Sequence, residues 1–498
     1  LRTVDDHQQF PVDDVNKPNI LLVMADQMTP FMLEACGYKA ARTRHMSALA
    51  ARGVSFTNAY TPSPICVPAR SCFMTGLYTS TTGCYDNGDP YHSFIPTFAH
   101  YLTNAGYETV LAGKMHFIGA DQLHGFQRRL NTDIYPSGFI WSYPLLDEND
   151  PDAMAFDFAP QYQAQNIGAG WSTELQYDEE TQYRSLEYLR HAPADKPFML
   201  TVSFTNPHPP YKVPRKYWEM YRQADLPLPH YPADMDDRYS DFDRAFIRWY
   251  GLVWKDIRAP EHLIAMRRGF AALAHYVDDK LGELLDVLDE QGLRDNTIVI
   301  VTSDHGEMLG EKGLIQKRSL YEWSARIPLI VDYPGTGRGK VDTPVSLIDL
   351  PPTLLDIAGV EPVRPMEGRS LLPALRGEPL EDVSVISEYH GEGIMRPSFM
   401  VRKGAWKYIY CHRSAPQLFN LEADPGEWDN RAGDPAIAAI EAELDAIVTK
   451  GQFDLDFIEK DVWDRLAQKQ VVNQAMAING TAWDYEVKAN AAQQYVRK

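Results

Sequence analysis

Four short runs of apolar residues, each stopped abruptly by polar side chains, constrain this chain more than any other feature. They are NILLVMADQ, ending at Asp26 and Gln27; ETVLAGKMH, at Lys114 and His116; FMLTVSFTNPH, at His208; and TIVIVTSDHGE, at Asp304 and His305. Near-continuous Val, Ile and Leu over a strand length suits strands buried on both faces of a parallel sheet. Helical patterns lie between the runs. HMSALAARG stops at Gly53, and FAALAHYVDDKLGELLDVLDEQG keeps Phe270, Leu273, Val277, Leu281, Leu284 and Leu288 near one face before Gly292. Strands alternating with helices predict an α/β fold: a large, mostly parallel sheet sandwiched by helices, with ligands beyond the carboxyl ends of the strands. All four polar clusters then fall along one sheet edge.

After about residue 376 the pattern changes. VSVISEY, SFMVRK, AWKYIYCHR and PQLFNLE are short, aromatic-rich and separated by turn residues, as in an antiparallel sheet, and PAIAAIEAELDAIVTKG reads as a helix. The expected organisation is an α/β domain over 1–376, a smaller C-terminal α+β unit over 377–450, and an extended tail over 451–498. Residues 139–170 and 206–262 read as loops. A tail carrying Trp483, Tyr485 and Tyr495 would expose much apolar surface if unpacked, so a homo-oligomer, dimer or tetramer, is expected.

Composition excludes several classes. A net charge of −20 over 498 residues, with no basic block, argues against nucleic acid. No apolar run approaches the roughly 18 to 20 residues of a membrane helix. Residues 1–19 carry no apolar core of the secretion-signal type, although a signal already removed would leave no trace. Five cysteines, odd in number and without a CxxC pair, indicate neither a disulfide framework nor a structural zinc site. A cytoplasmic location is expected.

Asp26, Gln27, Asp304 and His305 offer two carboxylates, an amide oxygen and an imidazole on strands that could be neighbours. That set suits a divalent cation, Ca²⁺ or Mn²⁺ first and Mg²⁺ as the alternative, although a single Asp after a strand is more often a turn residue. Lys114, His116, His208, Lys317 and Arg70 form a second set, which suits a substrate with several anionic oxygens. Singly, each has a plain reading as a solvated charge or a packed histidine. Between these sets lies TPSPICVPARSCFMTG. Its Cys66 stands at a helix start with Pro68 and Arg70 close by, and the residues alone allow a buried thiol or an activated thiolate.

CVPAR with SCFMTGLYTSTTG downstream resembles the C-x-P-x-R signature of the type I sulfatases, in the alkaline-phosphatase superfamily. GKMHF, NPHPPY, SDHGEMLGEKGLIQK, LIDLPPTLLDIAG and LFNLEADPGEWDN agree in order, so the resemblance spans most of residues 18–430. It implies an alkaline-phosphatase-like sheet and hydrolysis of a sulfate ester. It also implies that a maturation enzyme converts Cys66 to formylglycine, whose hydrate is the nucleophile. By the same resemblance Arg70 steadies that hydrate and Asp26, Gln27, Asp304 and His305 hold the metal. Lys114 and Lys317 bind sulfate oxygens, His116 orients the nucleophile, and His208 lies near the leaving group. DQLHGFQRRLNTDIYP and the late WDYEV resemble the choline-sulfatase branch, which implies choline-O-sulfate as substrate and Trp141, Glu392 and Asp484 around its quaternary ammonium. The chain departs from that branch at AFDFAPQYQAQNIGAGW, where either Phe156, Phe158 or Trp171 substitutes for a tryptophan-rich stretch or the pocket fits another alcohol. The alternatives are a phosphonate monoester or phosphodiester hydrolase, an arylsulfatase, or a sulfatase-like binding protein without turnover.

Overall fold

The computed structural model describes residues 17–142, 162–250, 258–394 and 396–484. An eight-stranded sheet runs through its centre. In chain order the strands are β1 (Asn19–Ala25), β2 (Val54–Phe56), β3 (Glu108–Gly113), β4 (Arg128–Arg129), β5 (Phe198–Phe204), β6 (Thr297–Ser303), β7 (Leu329–Asp332) and β8 (Gly339–Val341). Across the sheet they lie in the order β8-β2-β7-β6-β1-β5-β3-β4. The four apolar runs are thus four adjacent strands, β6, β1, β5 and β3, all parallel. Their carboxyl ends necessarily share one edge. Only β7 runs against its neighbours.

Every residue of these four strands is buried, because helices cover both faces. Alternate residues of β1 enter different cores: Leu21, Val23 and Ala25 pack with Phe270, Leu273 and Val277, whereas Ile20, Leu22 and Met24 pack with Phe98, Leu350 and Leu354. Three helices matter below: α1 (Cys66–Thr75), α2 (Pro260–Glu290) and α3 (Leu455–Asn479). A separate antiparallel sheet follows, made of β9 (Val385–Tyr389), β10 (Ser398–Lys403), β11 (Trp406–Cys411) and β12 (Gln417–Asn420) in that order.

Two expectations need correction. The segment 206–262, expected as loop, contains helices Arg215–Met220 and Asp241–Tyr250 and the start of α2. The second of these buries Phe242, Ala245, Phe246 and Trp249, spacing that closes one helical face. The tail, expected to be extended, is a 25-residue helix from Leu455 to Asn479, capped by Asp454, whose side chain accepts the N–H of Phe457. It buries only Ile458, Val462, Leu466 and Lys469, a stripe too narrow to stand out in sequence. No helix among the described residues is long and apolar enough to cross a membrane.

Candidate active site

The site grows from the start of α1. Ile65 is extended, with φ −156°, and the helix begins at Cys66, with Pro68 in its first turn, where a missing N–H costs nothing. The open N–H of Val67 donates to Asn87 Oδ1 at 3.0 Å. One turn on, Arg70 leaves the same helix face as Cys66. The Cys66 Sγ lies 3.2 Å from His305 Nε2 and 4.0 Å from Asp26 Oδ1, so α1 meets the ends of β1 and β6 directly.

Arg70 is fully buried and braces that junction. Its Nε donates to Asp304 Oδ2 at 2.8 Å, and its two terminal nitrogens reach Asp26 Oδ2 at 3.1 Å, the Lys114 carbonyl at 2.7 Å and Ser203 Oγ at 2.9 Å. One guanidinium therefore ties the ends of β1, β3, β5 and β6. Such a five-donor fork could not be replaced by a lysine. Lys114 ion-pairs with the same Asp26 oxygen and lies 4.4 Å above the Tyr135 ring. Lys317 donates to Gln27 Oε1 at 2.7 Å.

Burial works against charge on Asp26, but Lys114, His208, Arg70 and Lys317 outweigh it and hold its carboxyl well below the usual range. Burial and the Asp26 charge oppose ionisation of Cys66; Lys114, Lys317 and His305 overcome both, and the thiol is pulled well below its ordinary value. His208 is kept neutral by burial and by Lys317, with Nδ1 donating to the Pro209 carbonyl at 2.6 Å. His116 is also held down, by burial first. Its ring lies beside the Cys66 thiol and against Tyr135, 4.8 Å between centroids, yet neither ring nitrogen has a hydrogen-bond partner among the described residues.

The other residues singled out from sequence sit around this centre. Trp141 meets the Tyr135 ring edge-on at 5.8 Å, and its buried indole N–H has no partner among the described residues. Asp484 accepts the backbone N–H and the hydroxyl of Ser137, on the same segment, at 2.6 and 2.8 Å. Glu392 is buried but not free. It accepts Asn87 N–H at 3.0 Å and forms an ion pair with Arg318, so it connects to the start of α1 through Asn87. Trp171 is 60% exposed, and Phe156 and Phe158 lie outside the described residues.

Sequence reasoning missed several parts. Tyr135 touches Lys114, His116, Trp141 and His208, yet it stands in TDIYP with no periodic signal. Asp133, in the same stretch, accepts the backbone N–H of Met115 and His116. Asn87 and Tyr162 carried no signal. Glu307 did carry one, as the last residue of SDHGE.

The donor set, two carboxylates with an imidazole and a thiol, could hold a divalent cation. Asp26, Cys66, Asp304 and His305 each offer one ligand atom, all four atoms lie within 4.8 Å of one another, and all four residues are buried. Gln27 stands beside them, its N–H on Asp304 Oδ1 at 3.0 Å.

Comparison with known proteins bears on this geometry. The family described as Sulfatase matches residues 18–360, and the one described as N-sulphoglucosamine sulphohydrolase, C-terminal, matches 310–453. A choline-sulfatase of Rhizobium meliloti is 38% identical over 97% of this chain and 96% of its own length. An arylsulfatase of Clostridium perfringens is 30% identical over 83% of this chain and 90% of its own. Among solved structures, a phosphonate monoester hydrolase of Silicibacter pomeroyi superposes with a TM-score of 0.70 at 26% identity, covering 86% of this chain and 94% of that one. The likeness runs through the strands whose ends build the site, and its extent leaves one assignment: this chain belongs to the sulfatase family and is a sulfate-ester hydrolase.

Proposed function

We propose that the chain hydrolyses choline-O-sulfate to choline and inorganic sulfate, with Cys66 matured to formylglycine and one divalent cation, Ca²⁺ or Mn²⁺, held by Asp26, Gln27, Asp304 and His305. The observation that carries this reading is a position-66 side chain fully buried beside Asp26 and His305, with the charges of Lys114 and Lys317 drawn towards it. Matured in this way, position 66 would supply one hydroxyl for attack on sulfur and a second for release of the sulfate, and a divalent cation held by these residues would lower the pKa of the attacking hydroxyl.

The chain's own residues do the rest. Lys114 and Lys317 hold the sulfate oxygens where negative charge develops. Arg70 keeps Asp26 and Asp304 aimed at one point. His116, whose ring lies beside position 66, orients the nucleophile. His208, its Nδ1 fixed on the Pro209 carbonyl, keeps Nε2 near the leaving group.

For the alcohol, Trp141 offers an aromatic ring to a trimethylammonium group, which cannot donate hydrogen bonds. Asp484 adds a carboxylate from the tail. Glu392, engaged by Arg318, acts by holding Asn87. The similarity to the Rhizobium meliloti choline-sulfatase supports the same alcohol. A homo-oligomer and a formylglycine-generating partner belong to this reading.

The test compares kcat/KM on choline sulfate, an aryl sulfate and an aryl phosphonate. Choline sulfate is expected to lead. A preference for the phosphonate by more than about tenfold, some 1.4 kcal/mol of transition-state binding, would replace this reading with a phosphonate monoester hydrolase. Trp141→Ala should raise KM for choline sulfate far more than for the aryl sulfate. Peptide mass spectrometry at position 66 reports the maturation.

A further inference from the structure

Glu307 is fully buried two residues beyond His305, and both its carboxylate oxygens are engaged. Oε1 accepts the backbone N–H of Leu309 at 3.1 Å and of Gln316 at 2.6 Å. Those groups close a loop that also pairs Met308 N–H with the Gln316 carbonyl and places Lys317 immediately after it. Leu309, Lys312 and Gln316 all have positive φ in this loop, a conformation that persists only where surrounding contacts over-determine it. Oε2 accepts the Tyr162 hydroxyl at 3.0 Å and the Nε2 of Gln27.

The second pair of bonds has a chemical consequence. The Gln27 amide has two unlike ends, one oxygen and one NH₂, of nearly equal shape. A carboxylate that accepts at Nε2 forces Oε1 to the other side, where Lys317 Nζ lies 2.7 Å away. We propose that Glu307 is a positioning residue that fixes which end of the Gln27 amide faces Lys317 and the cation, while the same carboxylate sets the loop that delivers Lys317. The role rests on the cation reading above only for the metal half of its consequences.

Glu307→Gln preserves shape and tests the assignment. The new amide must keep its oxygen on the two loop N–H groups, which turns its NH₂ towards Gln27. Two NH₂ groups would then meet, and the Gln27 amide rotates, presenting donors to Lys317 and the cation. Mn²⁺ binding measured by calorimetry and kcat/KM on the sulfate ester should each fall by about 100-fold, the upper end for an outer partner of a metal ligand. The reciprocal swap, Glu307→Gln with Gln27→Glu, restores a complementary pair, because a carboxylate at 27 accepts from both sides. It should be at least about tenfold better than Glu307→Gln alone, a coupling that a scaffolding role would not produce.

A swap no better than the single variant overturns the proposal, as does Glu307→Gln behaving like the parent. If Glu307→Gln fails to fold, Gln27→Glu alone, which sets two carboxylates face to face, supplies the same comparison with the swap. If the parent itself binds neither Mn²⁺ nor Ca²⁺, the cation reading fails, and the rescue in kcat/KM still decides the role of Glu307.

Discussion

Two buried clusters of opposite charges can be set side by side in this chain. In the first, Lys407 on β11 bridges Glu322 at 3.1 Å and Glu427 at 2.8 Å. Glu322 also takes Arg326 at 3.3 Å, and Glu427 accepts the backbone N–H of Glu322. Two carboxylates meet two cations, and the set joins the small sheet to the segment after the Lys317 loop. In the second, Arg70 pairs with Asp26 and Asp304, Lys114 pairs with Asp26, Lys317 donates to Gln27, and the His116 ring nitrogens have no hydrogen-bond partner among the described residues. Both are out of water, where unpaired charge is costly. The difference is that the first cluster closes around its own partners, whereas the second, on the function proposed above, takes an anion and a cation from outside. Burial of charge alone does not mark an active site; charge left to be matched does.

The variants that test this difference should separate activity from stability. Cys66→Ala removes the atom at the centre of the open cluster. Turnover should fall by at least about a thousandfold, with the melting temperature unmoved within about 3 °C. Activity retained above a few per cent would remove position 66 from the chemistry. Lys407→Met should do the opposite. It leaves Glu322 and Glu427 buried without their shared cation, so urea unfolding should show a loss of about 3–5 kcal/mol while kcat per folded molecule is unchanged. A large fall in kcat would erase the distinction between the clusters. Lys317→Ala belongs with Cys66. The loss of one fixed charge should lower kcat by about 100- to 1000-fold with little change in stability.

Asp133 gives the smallest and sharpest contrast, because it lies beside the open cluster yet is matched like the closed one. Its carboxylate takes Arg129 at 2.6 Å and the N–H groups of Met115 and His116. Burial pushes its pKa up, but Arg129, His116 and those donors bring it down to about 2. A carboxylate depressed below its unfolded value of about 4 contributes stability above pH 4 that is lost as the pH falls towards 2, about 2 kcal/mol in all. Asp133→Asn should therefore show a shallower loss of stability between pH 4 and 2 than the parent. Equal slopes would mean that Asp133 contributes nothing by its charge.

Legibility from sequence followed the physics of each element. The four apolar runs were readable because a strand covered on both faces must be apolar at every position, and β1, β3, β5 and β6 are. The helix Asp241–Tyr250 was not read, though its spacing was present, because the loop-like residues around it masked a single ten-residue face. Helix α3 escaped because Ile458, Val462 and Leu466 make a one-residue-wide stripe. Glu392 shows a different limit. Nothing local announces that Arg318, 74 residues away, engages its carboxylate.

The chain's own order of residues determined which side chains end the strands, and parallel pairing of adjacent strands then required those ends to share an edge. It also determined the helix start at Cys66 and the turn that puts Arg70 above it. Only the tertiary structure decided how these groups divide their bonds: that Arg70 braces Asp26 and Asp304, that Glu392 faces Arg318, and that Glu307 aims Gln27. Pattern along a chain reports burial and period, which are local. The choice of partner among buried charges depends on distances between elements that meet only when the sheet and its helices are assembled.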